Sequence, residues 1–368
     1  MDSLISGILA VMPTGLWEKI IIAFEGAFGT FALSIIILTI IIKIVMSPVD
    51  YFNRRTNKKM ATMQKKIQPQ VEAINKKYAK DSKLKNQKLG ELYQREKINP
   101  MGSCFVMLTN MVLTFVIFIT LFNGMNAMAK YKIVNQYEQL QIEYVQEYAQ
   151  NSDGVDIIAL IEENNNKADD DETKLSVYEI CKPYIDEING IETEKQKADQ
   201  KVAKKYNEIK EGFLWIDNIW LADSPFKNSV PTFDEYANVA GLTKEERENE
   251  DFKRVYSQIM TPVSETNGRA NGYFILLVLS AGASFLNQWL LTKRSKKEGA
   301  QASSKAMLVV MPLIMAVFTL FYTTMFSLYI ITSQLVSIAT LPIIGKISDA
   351  VDKRQEKKKI PTDRLKRI

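Results

Sequence analysis

The apolar positions of this chain fall in long blocks, and the charged positions fall between them. A bilayer imposes such segregation, because a span tolerates few charges and the connecting segments carry the rest. Residues 28–47 form the first block, with a single charge, Lys43. About 20 apolar residues suffice to cross the hydrocarbon as a helix, so this block predicts one span, ended by Pro48. Cys104 to Phe122 predicts a second span within 100–123, and Tyr273 to Leu291 a third within 271–291. Met307 to Ile344 is a run of 38 residues without a charge. It is too long for one span. It predicts two short ones within 307–345, joined tightly around Tyr322 to Met325, in a locally thinned bilayer. The expected fold class is all-α, a polytopic membrane protein with five transmembrane helices.

The polar segments carry helical patterns of their own. In 48–99, Ile67, Val71, Ile74 and Tyr78 recur on one helical face. Asp81 is placed to cap a return helix whose apolar members include Leu84, Leu92 and Ile98. Pro69 should kink the first helix or restart it. The segment therefore predicts a helical hairpin. Asn99 and Pro100 then form a helix start, Asn as N-cap and Pro at the first helical position. Residues 124–270 predict a mostly helical segment, with Tyr137 to Tyr148 and Ile191 to Ile209 as clear stretches and Glu162 to Asp171 as an exposed loop. The run FLWIDNIW, 213–220, suits the membrane interface. Trp17 to Phe24 predicts an interfacial amphipathic helix within 1–27, with no charged signal-peptide region before Lys19.

Charge sets the orientation. Segment 48–99 has 14 Lys and Arg against 5 Asp and Glu, the loop 292–306 has 5 against 1, and the tail, 346–368, belongs to a stretch from Gly345 with 9 against 4. Segment 124–270 has 17 against 29. Basic segments stay in the cytoplasm. Five spans with the N-terminus outside put the hairpin, the 292–306 loop and the tail inside, and 124–270 outside. Four spans would expose the basic tail. The location expected is a bacterial cell membrane, with the C-terminus cytoplasmic.

Candidate chemistry narrows the function further. The chain has no histidine and 2 cysteines, Cys104 in an apolar block and Cys181 in a polar one. This removes His-based triads, most zinc sites and a disulfide framework. There is no phosphate-binding glycine motif and no nucleophile elbow, so no enzyme, metal or cofactor is expected. Polar residues do recur in the spans: Lys43 in the first, Thr109, Asn110 and Thr114 in the second, Asn287 and Gln288 in the third, and Thr332, Ser333 and Gln334 in the last. They could line a shared hydrophilic groove. Equally, Lys43 could snorkel to the interface and the others could hydrogen-bond between helices. The lysine-rich hairpin could be a solvated pair of helices or a docking site for anionic lipids, RNA or an acidic protein.

One stretch carries a family resemblance. Residues 60–122 hold a basic helix with the step Gln68-Pro69, a second helix ending in Leu92-Tyr93, and then Asn99, Pro100, Gly102 and Cys104 opening a span. In this the chain resembles the YidC/Oxa/Alb insertase family. FLWIDNIWLADSP, 213–225, resembles the segment before that family's third span, and Met311-Pro312 and Leu328-Tyr329 resemble its last two spans. The resemblance implies five spans around a hydrophilic groove, with no cofactor. Nascent membrane proteins would enter the bilayer through it, alone or beside the Sec translocon. The basic hairpin and tail would engage ribosome or signal-recognition components. Three features depart from the family: Lys43 replaces the usual Arg, Tyr322 to Met325 replaces a Pro-Ala-Gly-like link, and 124–212 is an insertion. Outside the resemblance, a secondary transporter or channel, or a membrane anchor for an extracellular interaction domain, remain the alternatives.

Overall fold

The computed structural model describes residues 12–96, 100–166, 174–297 and 305–364. They form α1 (Leu16–Phe28), α2 (Phe31–Lys77), α3 (Ser82–Arg95), α4 (Pro100–Ser152), α5 (Ile157–Asn165), α6 (Val177–Asn189) and α7 (Glu192–Ile209). There follow α8 (Phe233–Ala240), α9 (Lys244–Glu248), α10 (Glu250–Asn267), α11 (Ile275–Lys297), α12 (Lys305–Phe321) and α13 (Thr324–Arg364). Among the described residues β pairing is confined to two isolated bridges, Phe213 with Ile216 and Asn228 with Ala270. Four helices among the described residues hold apolar stretches long enough to cross a membrane: Phe31–Thr56, Met111–Ser152, Ile275–Arg294 and Thr324–Val351. In α12 the apolar stretch is the shorter Leu308–Phe321. The protein is an all-α polytopic membrane protein.

The helices ignore several of the expected boundaries. Pro48 does not end α2, which runs 47 residues through both Pro48 and Pro69. A proline removes one N–H and crowds one carbonyl, but in a bilayer the helix is the way to satisfy its neighbours, so it continues. The helix that holds the second span does not stop near 123: α4 is 53 residues long and continues to Ser152. The last span and the basic tail are one helix of 41 residues, α13. The acidic run expected as a loop begins inside α5. There Asn164 is 5% exposed and bonds the backbone of Leu175 through both its amide oxygen (2.9 Å) and its amide nitrogen (2.7 Å). The rest of that run, from Lys167, lies outside the described residues, as do Ile98 and Asn99. The expected starts are met: α4 begins at Pro100, and the Asp81 side chain caps α3 by accepting from Leu84 N–H at 2.9 Å.

The chain divides into two compact units. Unit one holds the chain up to Ile35, Leu121–Val278 and Val317–Leu328. Its core is aromatic. The Tyr256 ring lies 5.0 Å from Tyr236 and 5.5 Å from Phe233, and Phe252 lies 5.2 Å from Tyr178. Tyr256 also donates to the Pro231 carbonyl at 2.8 Å, and Tyr206 to the Ser229 carbonyl at 2.5 Å. Edge-to-face and tilted rings, with the Tyr206 and Tyr256 hydroxyls satisfied, make a dense core. Unit two holds Ile36–Thr120, Leu279–Ala316 and the chain from Tyr329. In its hairpin Ile67 and Leu92 are buried, Val71, Ile74 and Tyr78 are half-buried, and Arg95 Nη2 donates to Gln70 at 2.6 Å.

Candidate functional site

In unit one, residues 213–225 hold the beginnings of three spanning helices. The first N–H groups of a helix have no partner within it, and this segment supplies several. Asp223, 2% exposed, accepts from Tyr273 N–H at 2.8 Å and from Leu276 N–H at 2.7 Å, closing the start of α11. Gly272 makes the approach possible, because a Cβ there would collide with the Asp223 carboxylate. The Leu221 carbonyl accepts both the N–H and the hydroxyl of Thr324, each at 2.9 Å, at the start of α13. Trp220, fully buried, meets Phe31 at the start of α2, with ring centres 5.3 Å apart, and donates Nε1 to Glu211 at 3.0 Å. Lys132 of α4 pairs with Glu211 at 2.7 Å and sits 4.3 Å from the centre of the Phe31 ring. Burial holds the Glu211 carboxyl above its ordinary value, and its bonds to Lys132 and Trp220 offset that only in part.

Within 213–220 the side chains divide between protein and surroundings. Asn218, Ile219 and Trp220 are buried in protein, while Leu214 is 76% exposed. The backbone of this segment is spent on helix starts, and its Trp on packing. The tight link expected around Tyr322 to Met325 is present, since α12 ends at Phe321 and α13 begins at Thr324.

In unit two, the far portions of the same three helices line one cavity of about 270 Å³. α2 contributes Asp50, Asn53 and Arg54, α11 contributes Asn287, Leu291 and Arg294, and α13 contributes Ser337, Thr340, Leu341 and Ile344. Arg54 Nη1 donates to the Leu341 carbonyl at 3.2 Å, and Arg294 Nη1 donates to the same oxygen. Lys58 and Asp349 pair beside them at 2.8 Å. Lys43 is half-buried two turns before Asp50, which is the charge acting on it.

The structure brings some of the expected groove residues together and not others. Asn287 Nδ2 donates to Gln334 at 2.6 Å, joining α11 to α13. Ser333 is 9% exposed, and Thr332 and Gln288 are half-buried. α4 meets α13 through Phe118 and Tyr329, 6.1 Å between ring centres. Thr109 and Thr114 are exposed on α4, among exposed Leu108, Met111, Val112 and Phe115. The side chain of Asn110 lies outside the described residues, as do those of Pro100, Gly102 and Cys104. In the hairpin, Gln68 and Pro69 are exposed, with Gln68 bonded to Glu72 at 3.2 Å, while Leu92 is buried and Tyr93 half-buried. Sequence reasoning missed Asn53, Arg54 and Arg294. The available signal was their place just beyond an apolar block, where they read as ordinary flanking polar residues.

Residues 23–161 match the family model described as 60Kd inner membrane protein. A protein of Fusobacterium nucleatum named membrane protein insertase YidC is 41% identical over 96 residues, 26% of this chain and 45% of that protein. Proteins of the same name from Maricaulis maris and Geobacter sulfurreducens are 41% identical over 100 residues and 33% over 95. The match spans 16% and 17% of their lengths. The chain thus covers less than half the length of these relatives.

Proposed function

From a chain whose residues 23–161 are of the YidC/Oxa/Alb type, we propose that it is a membrane protein insertase, moving nascent membrane proteins into the bilayer through a hydrophilic groove. The observation that carries this reading is the family match itself. It covers the first span with Lys43, the basic hairpin and the second span, the parts that would handle substrate. No covalent chemistry is needed. A wet groove lowers the cost of bringing polar segments partway across the membrane. Lys43 attracts acidic residues of the entering segment, and the exposed apolar face of α4 offers the hydrophobic segment a way into lipid.

The topology that goes with this reading has five spans. The cavity supports it by parity. Residues at the far portions of α2, α11 and α13 line one cavity, and the beginnings of the same helices meet one segment. Three helices running the same way need a return crossing between each pair. α4 serves between the first two, and α12 between the second two, short enough to suit a thinned bilayer. The positive-inside rule then places the hairpin, the 292–306 loop and the C-terminus in the cytoplasm, and the N-terminus and 124–270 outside. The basic hairpin and tail engage ribosome or signal-recognition components and anionic lipids, and the Sec translocon is a further partner.

The test is insertion of a short single-span protein into liposomes, with and without this purified chain and without nucleotide. Protease-protected substrate above the level of empty liposomes supports the reading. Ion flux through the same liposomes without insertion would point to the transporter or channel instead. Folded protein that gives neither would leave the anchor reading.

A further inference from the structure

The turn that follows Asp223 in unit one carries a large apolar side chain in the open. Phe226 is 87% exposed, yet the turn beneath it is well held. The Phe226 N–H donates to Ser224 Oγ at 3.2 Å, and the Lys227 carbonyl accepts from Asn271 N–H at 2.9 Å. Asp223, at the base of the turn, bonds the N–H groups of Tyr273 and Leu276. Between those two, Phe274 takes a φ of 59°, in the left-handed region that favours glycine. Such strain persists where the surroundings overdetermine it, and here the Asp223 carboxylate grips the backbone on both sides. The Phe274 ring meets that of Phe226 edge-on, with centres 5.5 Å apart. The turn is therefore fixed to the start of α11.

The length of α11 sets the depth of that start. Its apolar stretch, Ile275–Arg294, has 20 residues. At about 1.5 Å per residue it rises about 30 Å, the thickness of the hydrocarbon. No residue is to spare, so Phe274 lies at the hydrocarbon boundary, or deeper if the helix tilts. The headgroup layer beyond that boundary is about 5–7 Å thick on each side. Phe226, 5.5 Å from Phe274, therefore reaches no further than this layer. Aromatic rings are favoured at such a level. Tyr273, 65% exposed, adds a second ring, whose hydroxyl suits the headgroups. Val278, also exposed, lies four residues on from Phe274 and so continues the apolar surface along one face of the span. Lys227, beside Phe226, is paired with Glu235 at 3.2 Å, so the turn offers apolar surface more than charge. We propose that the turn 224–227 is a membrane anchor for unit one. Phe226 dips into lipid beside α11, takes acyl chains rather than a charged headgroup, and holds the segment that ties the helix starts at a fixed depth. The anchor needs only that α11 crosses the bilayer, so it stands or falls separately from insertion.

The test begins with the full chain, unaltered, in phosphatidylcholine vesicles doped with a phosphatidylcholine that carries a photoactivatable diazirine near the carbonyl end of one acyl chain. After illumination, peptide mass spectrometry should find the peptide holding Phe226 labelled about fivefold or more above the peptide holding Lys197, an exposed residue of the polar helix α7. A second measurement places a bimane on Phe226→Cys or Lys197→Cys, with Cys104 and Cys181 replaced by Ser. Bromine near the carbonyl end of the acyl chains should quench the first about twofold or more and leave the second unchanged. Iodide in the water on both sides should do the reverse. Equal labelling of the two peptides would overturn the anchor. So would a bimane at 226 that iodide quenches and brominated lipid does not, which would put Phe226 in water. A bimane at 226 that neither reaches would overturn it in favour of a protein partner over the turn. Quenching that appears only after anionic lipid is added would overturn the choice of acyl chains.

Discussion

Asp223 and Lys43 are both carboxylate or ammonium groups in apolar surroundings, yet only one of them stands out in the sequence. Lys43 is conspicuous because it interrupts an apolar block alone. Asp223 is one of 42 acidic residues, and its partners Gly272, Tyr273 and Leu276 lie about fifty positions away. Its role is structural: it caps α11 from outside the helix, a service side-chain oxygens commonly perform from the N-cap position. Asp223→Ala should destabilise unit one by about 1–2 kcal/mol, read as a lowered urea midpoint in detergent, and an unchanged midpoint would remove the capping role. For Lys43 the expected outcome concerns substrate. Lys43→Arg keeps the charge and should keep insertion, whereas Lys43→Gln should slow insertion of substrates with acidic segments several-fold more than that of neutral ones. Equal loss for both substrate classes would assign Lys43 to packing or snorkelling rather than to attraction.

Composition changes along the chain mark where the bilayer ends, and helices do not end there. α2, α4 and α13 each continue from apolar into polar sequence because backbone bonding propagates irrespective of which solvent the side chains meet. The hairpin face of Ile67 and Leu92 was legible because its period is local. The aromatic core of unit one was not, since its rings come from Tyr137 to Tyr256 across four helices and no local spacing connects them. That core has a consequence for pH. Burial pushes the Tyr178 hydroxyl up to about 12 and holds Tyr236 and Tyr256 higher still. The folded state therefore keeps protons that the unfolded chain releases above the ordinary tyrosine value of about 10. Stability from these groups is complete below about pH 10 and declines as pH rises from there towards about 12. Urea midpoints at about pH 9 and about pH 11.5 should differ, the second being lower; coincident midpoints would contradict it. Cys181 belongs to the same core and is buried, with its thiol pushed up by that burial. It should resist maleimide in the native protein and react on unfolding, so its labelling reports on this body alone.

For the molecule as a whole, the decisive quantity is the number of crossings, because it fixes which side the basic tail occupies. Hydropathy does not decide it: among the described residues four helices are long enough to span, and in α12 the apolar stretch is Leu308–Phe321. Charge bias favours five, since a basic tail outside would break the positive-inside rule. The long-range contacts add an independent argument that no local pattern contains. Phe31, Leu276 and Thr324 are helix starts bound to one segment, and Arg54, Arg294 and Leu341 converge at one carbonyl. Helices tied at like ends run in the same direction, and a chain whose α11 and α13 are parallel must return between them. In a chain with Cys104 and Cys181 replaced by Ser, single cysteines at the exposed positions Lys244, Lys76 and Lys353 decide the matter. A membrane-impermeant maleimide added to intact cells should label Lys244→Cys and spare the other two until lysis. Labelling of Lys353→Cys from outside, with Lys76→Cys still protected, would mean that α12 does not cross.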